Sequence, residues 1–228
     1  METPVELLGF WEFSKDLVIP RLLVGMLVTL KITFISGFFG LLLGFTLTLL
    51  RFLNFKMTTF FTILYVTLFR GTPLLLQILF IYFALPPLLG LTMDSGPAGI
   101  LALSLNSAAY FSEIFRAAIE SVPKGQMEAA RALGLTHLQG MYRIIIPQTF
   151  KRLIPPVVNE LAALTKDTSL VSVVALAELL YITQRLGAKY LRPWEVYFWA
   201  ALGYLIIVMI LSTLAHRLEV GLEKRGGV

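Results

Sequence analysis

"KGQMEAARALGLTHLQGMYRIIIP", Lys124 to Pro147, interrupts a chain that is otherwise mostly Leu, Ile, Val, Phe and Ala. Met127, Ala130 and Leu133 recur at helical spacing, Glu128 and Arg131 fall on other faces, and Gly134 suits a left-handed helix cap. Thr136 and Gln139 then have the spacing of a capping box, opening a second helix that presents Leu138, Met141, Tyr142 and Ile145. The stretch predicts two short helices meeting at a glycine elbow. Such helices are marginal in water on their own, so the pair needs a surface to rest on, either its own membrane helices or another protein.

The flanking sequence decides the class. The chain has 228 residues, 57% hydrophobic and 14% charged, with a mean hydropathy of +0.80, whereas charged residues make up about a quarter of a soluble globule. It is an integral membrane protein. Cysteine is absent and neither His137 nor His216 has a ligand partner at metal-binding spacing, so metal chemistry is not expected. The net charge of +5 does not imply nucleic acid, because the Lys and Arg residues lie at the ends of apolar spans instead of in one aromatic-interleaved patch. Glu2, Glu6 and Glu12 stand where a cleaved signal peptide is basic, so the first hydrophobic stretch is expected to be retained.

Five windows are apolar over the roughly 20 residues that a crossing helix needs: Leu22 to Leu50, Met57 to Leu85, Pro97 to Ile119, Leu153 to Leu180, and Trp194 to Ala215. The stretches "PPLLGLTMDSGPAG" and "TQRLGAKYLRP" read as turns outside the membrane. Residues 1–21, with Phe10, Trp11 and Phe13 beside carboxylates, read as a separate interfacial segment, and 22–228 as a single membrane domain with its polar interruption at 123–147. About eleven Lys and Arg residues fall on the face that holds the interruption, against about five opposite, which predicts an outside N-terminus and a cytoplasmic C-terminus. Gly37, Gly40 and Gly44 lie nearly on one helix face and permit close approach, either within the subunit or at a subunit interface.

Charges near the bilayer midplane are expensive and usually face a cavity or one another. Arg70, Asn106, Lys166 and Asp167 all lie roughly 20 Å from the cytoplasmic end, counted at about 1.5 Å per residue. Arg70-Gly71-Thr72-Pro73 and Asp167-Thr168-Ser169 both read as helix interruptions at that depth, the second as a run of N-cap formers. Asn106, Tyr110, Glu113, Arg116 and Glu120 form a stripe along one helix face, and Glu160 sits at the level of Glu113. Competing readings stay open: Glu113 and Arg116 as a simple ion pair, Arg70 as a tie between helices, Lys31 as a snorkelling or paired lysine. Glu178 and Glu195 are expected at the interface.

The stretch "EAARALGLTHLQGMYRIIIP" resembles the EAA motif of ATP-binding-cassette importer permeases, with Glu128, Ala129 and Ala130, then Gly134 and Leu135, and an apolar run closing on Pro147. "FRGTPLLLQILFIYF", "NSAAYFSEIFRAAIESV" and "KDTSLVSVVALAEL" resemble the polar amino-acid branch of that superfamily; Ala117 stands where relatives often have Gly. The resemblance implies an all-α, five-span type I permease fold in a bacterial inner membrane. It implies a second permease chain, an external substrate-binding protein and a separate ATPase subunit that docks on Glu128, Ala129, Ala130, Leu133, Gly134 and Leu135. No G-x-x-x-x-G-K-[ST] phosphate loop occurs in this chain, so ATP and magnesium are expected on that partner and no cofactor on this one.

Under that resemblance the substrate-facing candidates are Arg70, Thr72, Asn106, Tyr110, Glu113, Glu160, Lys166, Asp167, Thr168 and Ser169. An α-carboxylate would meet Lys166 or the Thr168 and Ser169 backbone, by analogy with broken-helix transporters. A cationic side chain would meet Glu160 or Glu113, so arginine, lysine or histidine is the first expectation and glutamine the second. An ion-driven secondary transporter is the less favoured alternative, since it usually needs more spans or an inverted repeat.

Overall fold

The computed structural model describes residues 8–52 and 55–225, with side chains other than those at 151 and 218–225. Glu2 and Glu6 lie outside the described residues. Helix α1 runs Phe10–Phe52 without a break, so the segment read as interfacial is, from Phe10 onward, continuous with the helix of the first span. A π turn at Ser14–Val18 widens the backbone just ahead of Pro20, whose missing N–H and bulky ring would otherwise break the ladder. Trp199 anchors this end, its Nε1 donating to Ser14 Oγ at 2.8 Å while Phe10 stacks on its indole.

Helix α2 (Lys56–Gly71) and α3 (Leu74–Leu89) form one span bent by 104° at the Gly71-Thr72-Pro73 break read from the sequence. Helix α4 (Ser95–Glu120) is the central post. Against it α1 lays Gly40 and Gly44: a Cβ on Gly44 would come within 2.7 Å of Phe111 Cβ, and one on Gly40 would overlap Ser107 Oγ. Lipid tails are as apolar as leucine, so this backbone approach, with its dispersion contacts, holds α1 to α4 where a hydrophobic driving force cannot. Thr48 Oγ1 adds a hydrogen bond to Ser112 O at 3.1 Å. The glycine face therefore packs within the subunit.

Helix α5 (Lys124–Ala132) precedes the elbow, and residues 137–167 form α6, which continues past Pro155 and Pro156. The fourth span is also bent, by 51°, but not as the sequence predicts. Asp167-Thr168-Ser169 does not open a helix; it closes one, Thr168 N–H pointing back at Leu164 O, and a 3₁₀ stretch follows over Thr168–Val174. The break falls after Ala175, at φ 60°, and the next helix, α7 (Leu179–Tyr190), is capped by Glu178, whose carboxylate accepts from Tyr181 N–H at 2.7 Å. The N-cap types at 167–169 are overridden by the tertiary fit, which places the start of the next helix at Glu178.

Two further expectations are corrected. Glu178 is fully buried, not interfacial, its second oxygen accepting from Tyr204 Oη at 2.7 Å; a carboxylate at this depth is retained only when its oxygens are satisfied. "TQRLGAKYLRP" is helical through Tyr190, and only Leu191, at φ 53°, and Arg192 turn the chain. Helix α8 (Pro193–Arg225) closes the bundle. One core cluster joins α1, α3, α4 and the 3₁₀ stretch through Ile32, Ile78, Leu103 and Val171; another joins α1, α7 and α8 through Leu22, Leu179 and Val196.

Candidate functional site

Between α2, α4 and α6 lies a cavity of about 690 Å³ whose charged lining is Arg70, Glu113, Arg116, Arg152 and Glu160, with Tyr110 and Pro156 completing the wall. The stripe on α4 and the acid on α6 are thus brought to one space, at the common level that counting along the helices predicts. Their electrostatic states differ. Glu113 is the hub of an ion cluster: Oε1 accepts from Arg51 at 3.0 Å, Oε2 from Arg116 at 2.7 Å, and Arg70 stands 3.8 Å away. Arg116 also bonds Glu120. Glu160 makes no ion pair and no side-chain hydrogen bond among the described residues.

Arg70 is exposed at the last turn of α2, its guanidinium 5.2 Å from the Tyr110 ring centroid. It faces the cavity by a cation–π contact and the long pair to Glu113, with no carbonyl tie among the described residues. Arg152 is held at the rim, donating from Nη1 to Ser121 O at 2.7 Å and to its hydroxyl at 2.8 Å.

Asn106 and Thr72 are spent on the α2/α3 bend. Gln77 Nε2 donates to Phe69 O at 2.9 Å, the carbonyl that Pro73 leaves without its helical N–H, and to Thr72 O at 3.1 Å. Asn106 Nδ2 donates to Gln77 Oε1 at 2.9 Å and to Phe69 O at 3.2 Å, and Thr72 Oγ1 donates to Leu68 O at 2.8 Å. Gln77 and Arg51 are not among the residues that the sequence predicts for the site. An amide within two turns of a Gly-Thr-Pro break is the signal that points to Gln77; Arg51 is indistinguishable in sequence from any basic residue ending a span.

Lys166, Asp167, Thr168 and Ser169 do not line this cavity. Lys166 is exposed and Thr168 buried, with its hydroxyl donating to Thr165 O at 2.7 Å. Because these residues end a helix, they offer no free N–H cradle of the kind a helix start supplies to an anion.

The elbow has the predicted caps. Gly134 adopts φ 84°, Leu135 N–H reaches Ala130 O at 3.1 Å and Gly134 N–H reaches Arg131 O at 3.0 Å, the paired bonds of a Schellman ending. Thr136 and Gln139 exchange their reciprocal bonds. Ala130 is buried, and Met127 closes over Gly140, where an added Cβ would meet its sulfur at 2.7 Å. Glu128 and Ala129 are exposed, as are Leu133 at 81% and Leu138 at 77%. The elbow thus rests on itself by one face and displays leucines on the other.

Bent spans around a charged cavity, with a capped, leucine-bearing elbow at one end, describe a membrane transport component that has a surface left over for another protein. Sequence comparison gives the family: the chain belongs to the binding-protein-dependent transport system inner membrane components, whose pattern matches residues 38–226. It is 42% identical over 212 residues to the arginine transport system permease protein ArtQ of Bacillus subtilis, covering 91% of this chain and 95% of that one. It is 40% identical over 215 residues to the L-cystine transport system permease protein TcyB of the same organism, covering 94% and 92%. A solved amino acid ABC transporter crystallised with histidines superposes with a TM-score of 0.87 at 35% identity, covering 93% of this chain and 98% of that one. The chain is an all-α amino-acid ABC importer permease, a class that implies an ATPase partner and a substrate-binding protein.

Proposed function

We propose that this chain forms half of the path of an ATP-driven importer of basic amino acids, paired with a second permease chain, identical or paralogous, in a bacterial inner membrane. Its Phe10 end faces outward, where a binding protein delivers substrate. The elbow is the coupling helix, docking on an ATPase that carries the ATP and magnesium. Closure of the ATPase pair moves the elbow and tilts the bent spans; hydrolysis returns them.

The observation that supports a cationic substrate is Glu160. It lies on the cavity wall and makes no ion pair among the described residues, while Glu113 on the same wall is fully engaged by arginines. An ammonium or guanidinium of the substrate supplies the missing partner, and Arg70 or Arg116 meets the α-carboxylate. Glu113 acts as a brace in this reading. Lys166, Asp167, Thr168 and Ser169 belong to the level that substrate arriving from the Phe10 end passes before it reaches the cavity. Glutamine is the second reading, supported by the cavity's three guanidinium groups against two carboxylates, which favour a ligand without extra positive charge.

Uptake of labelled arginine into vesicles holding the complete transporter tests the choice. Lysine and histidine are expected to compete strongly and glutamine weakly, and Glu160→Gln to lower arginine uptake about tenfold, the loss of one charge-assisted contact. Equal competition by glutamine rejects the cationic assignment.

A further inference from the structure

At the Phe10 end of the bundle a cleft of about 470 Å³ opens between α1 and α7, lined by Arg21, Val24, Ile182, Arg185, Leu186 and Lys189. Its rim carries three cations, and among the described residues none of them pairs with a carboxylate. Arg21 Nη1 donates to Leu17 O at 2.9 Å and Arg185 Nη1 to Tyr181 Oη at 3.3 Å, while the Lys189 ammonium lies 5.1 Å from the Tyr190 ring centroid. Each keeps donors in reserve. The nearby Arg192 is different, being paired with Glu195.

The level of the cleft limits what fills it. Leu186 packs in one cluster with Val196 and Ala200, in the first turns of α8. Trp194 and Trp11, both 71% exposed, ring the same end, as aromatic side chains do where hydrocarbon meets headgroups. Below the rim α1 exposes Leu23, Val24 and Leu27 to the surroundings. Cations above a continuous apolar wall, at the depth of an aromatic belt, match a phosphate with acyl chains beneath it. An acidic protein surface approaching from water would have no use for that wall.

We propose that this cleft binds the headgroup phosphate of an anionic phospholipid from the leaflet that meets the Phe10 end, its acyl chains lying along Leu23, Val24 and Leu27. The site is separate from the transport cavity and does not depend on which amino acid is carried. The test uses the permease purified with its co-expressed ATPase and titrated with dioleoyl phosphatidylglycerol, dioleoyl phosphatidylcholine or inorganic phosphate, lipid retention being read by native mass spectrometry. Phosphatidylglycerol is expected to be retained over phosphatidylcholine, and each of Arg21→Gln, Arg185→Gln and Lys189→Gln to weaken retention by about fivefold. Arg21→Lys with Arg185→Lys, which keeps the charge, is expected to retain it and guards against a folding artefact. Parental retention by the triple Gln variant overturns the proposal, as does equal retention of phosphatidylcholine. Displacement of the lipid by equimolar inorganic phosphate overturns it in favour of a free-anion site, and a triple variant that keeps its lipid but loses stimulation by binding protein overturns it in favour of protein docking.

Discussion

Arg51 and Glu113 meet at 3.0 Å although 62 residues separate them in the chain, so the Phe52 end of the first span is clamped to the post that carries the polar stripe, near its Glu120 end. Glu113 also holds Arg116 at 2.7 Å, and its side chain is 20% exposed. Removing its charge leaves guanidinium groups without their anion. Glu113→Gln is expected to destabilise the assembled transporter by about 2 kcal/mol, seen as a lower unfolding temperature in detergent, while Glu160→Gln leaves that temperature unchanged. A reversed pattern contradicts the division between brace and binding group.

Gly134 is the conformational requirement at the elbow, since at φ 84° an L side chain is strained. Gly134→Ala is expected to cost about 1 to 2 kcal/mol locally and to lower both ATPase co-purification and substrate-stimulated ATP turnover. Gly125→Ala, in open space on α5, the helix that leads into the elbow, is the control. Unaltered turnover in Gly134→Ala removes the elbow from the coupling path.

Close packing of α1 on α4 makes its own forecast. An alanine methyl at Gly44 meets Phe111 Cβ at 2.7 Å and Ala108 O at 2.8 Å, and backbone cannot step aside as a flexible side chain does. Gly44→Ala is expected to cost about 1 to 3 kcal/mol, whereas Gly71→Ala, with nothing within 4 Å, changes thermal stability little. Equal unfolding temperatures for the two variants contradict the packing account.

Gln77→Leu strips Thr72 O of this donor and leaves Phe69 O with the longer bond from Asn106, while keeping the volume filled. Loss of about 2 kcal/mol is expected, with faster amide exchange in residues 68–78 measured by hydrogen–deuterium mass spectrometry. Unchanged exchange there means that the bend is held by other contacts.

The signals that survive in the sequence are the local ones. Gly134, Thr136 and Gln139 announce the elbow because capping needs those residue types at those spacings, and Arg70-Gly71-Thr72-Pro73 announces a break because proline removes a donor wherever it sits. The α4 stripe is legible for the same reason, helical periodicity fixing that Tyr110, Glu113 and Arg116 share a face. What α4 meets is not local. Nothing near Glu113 in the chain foretells Arg51, and Glu178 reads as an interfacial acid until Thr29 and Tyr204 fold over it. Asp167-Thr168-Ser169 misleads because a capping preference is a weak local term, and packing of Val171 and Val174 into the core overrides it.

The right-angled corner between α2 and α3 has a mechanical meaning. Its severed rungs are replaced by one glutamine amide, backed by Asn106 from the post, so the angle is fixed by bonds instead of being left to swing. A corner tied in that way works as a bell crank: a push along one arm emerges sideways along the other, undiminished by bending at the joint.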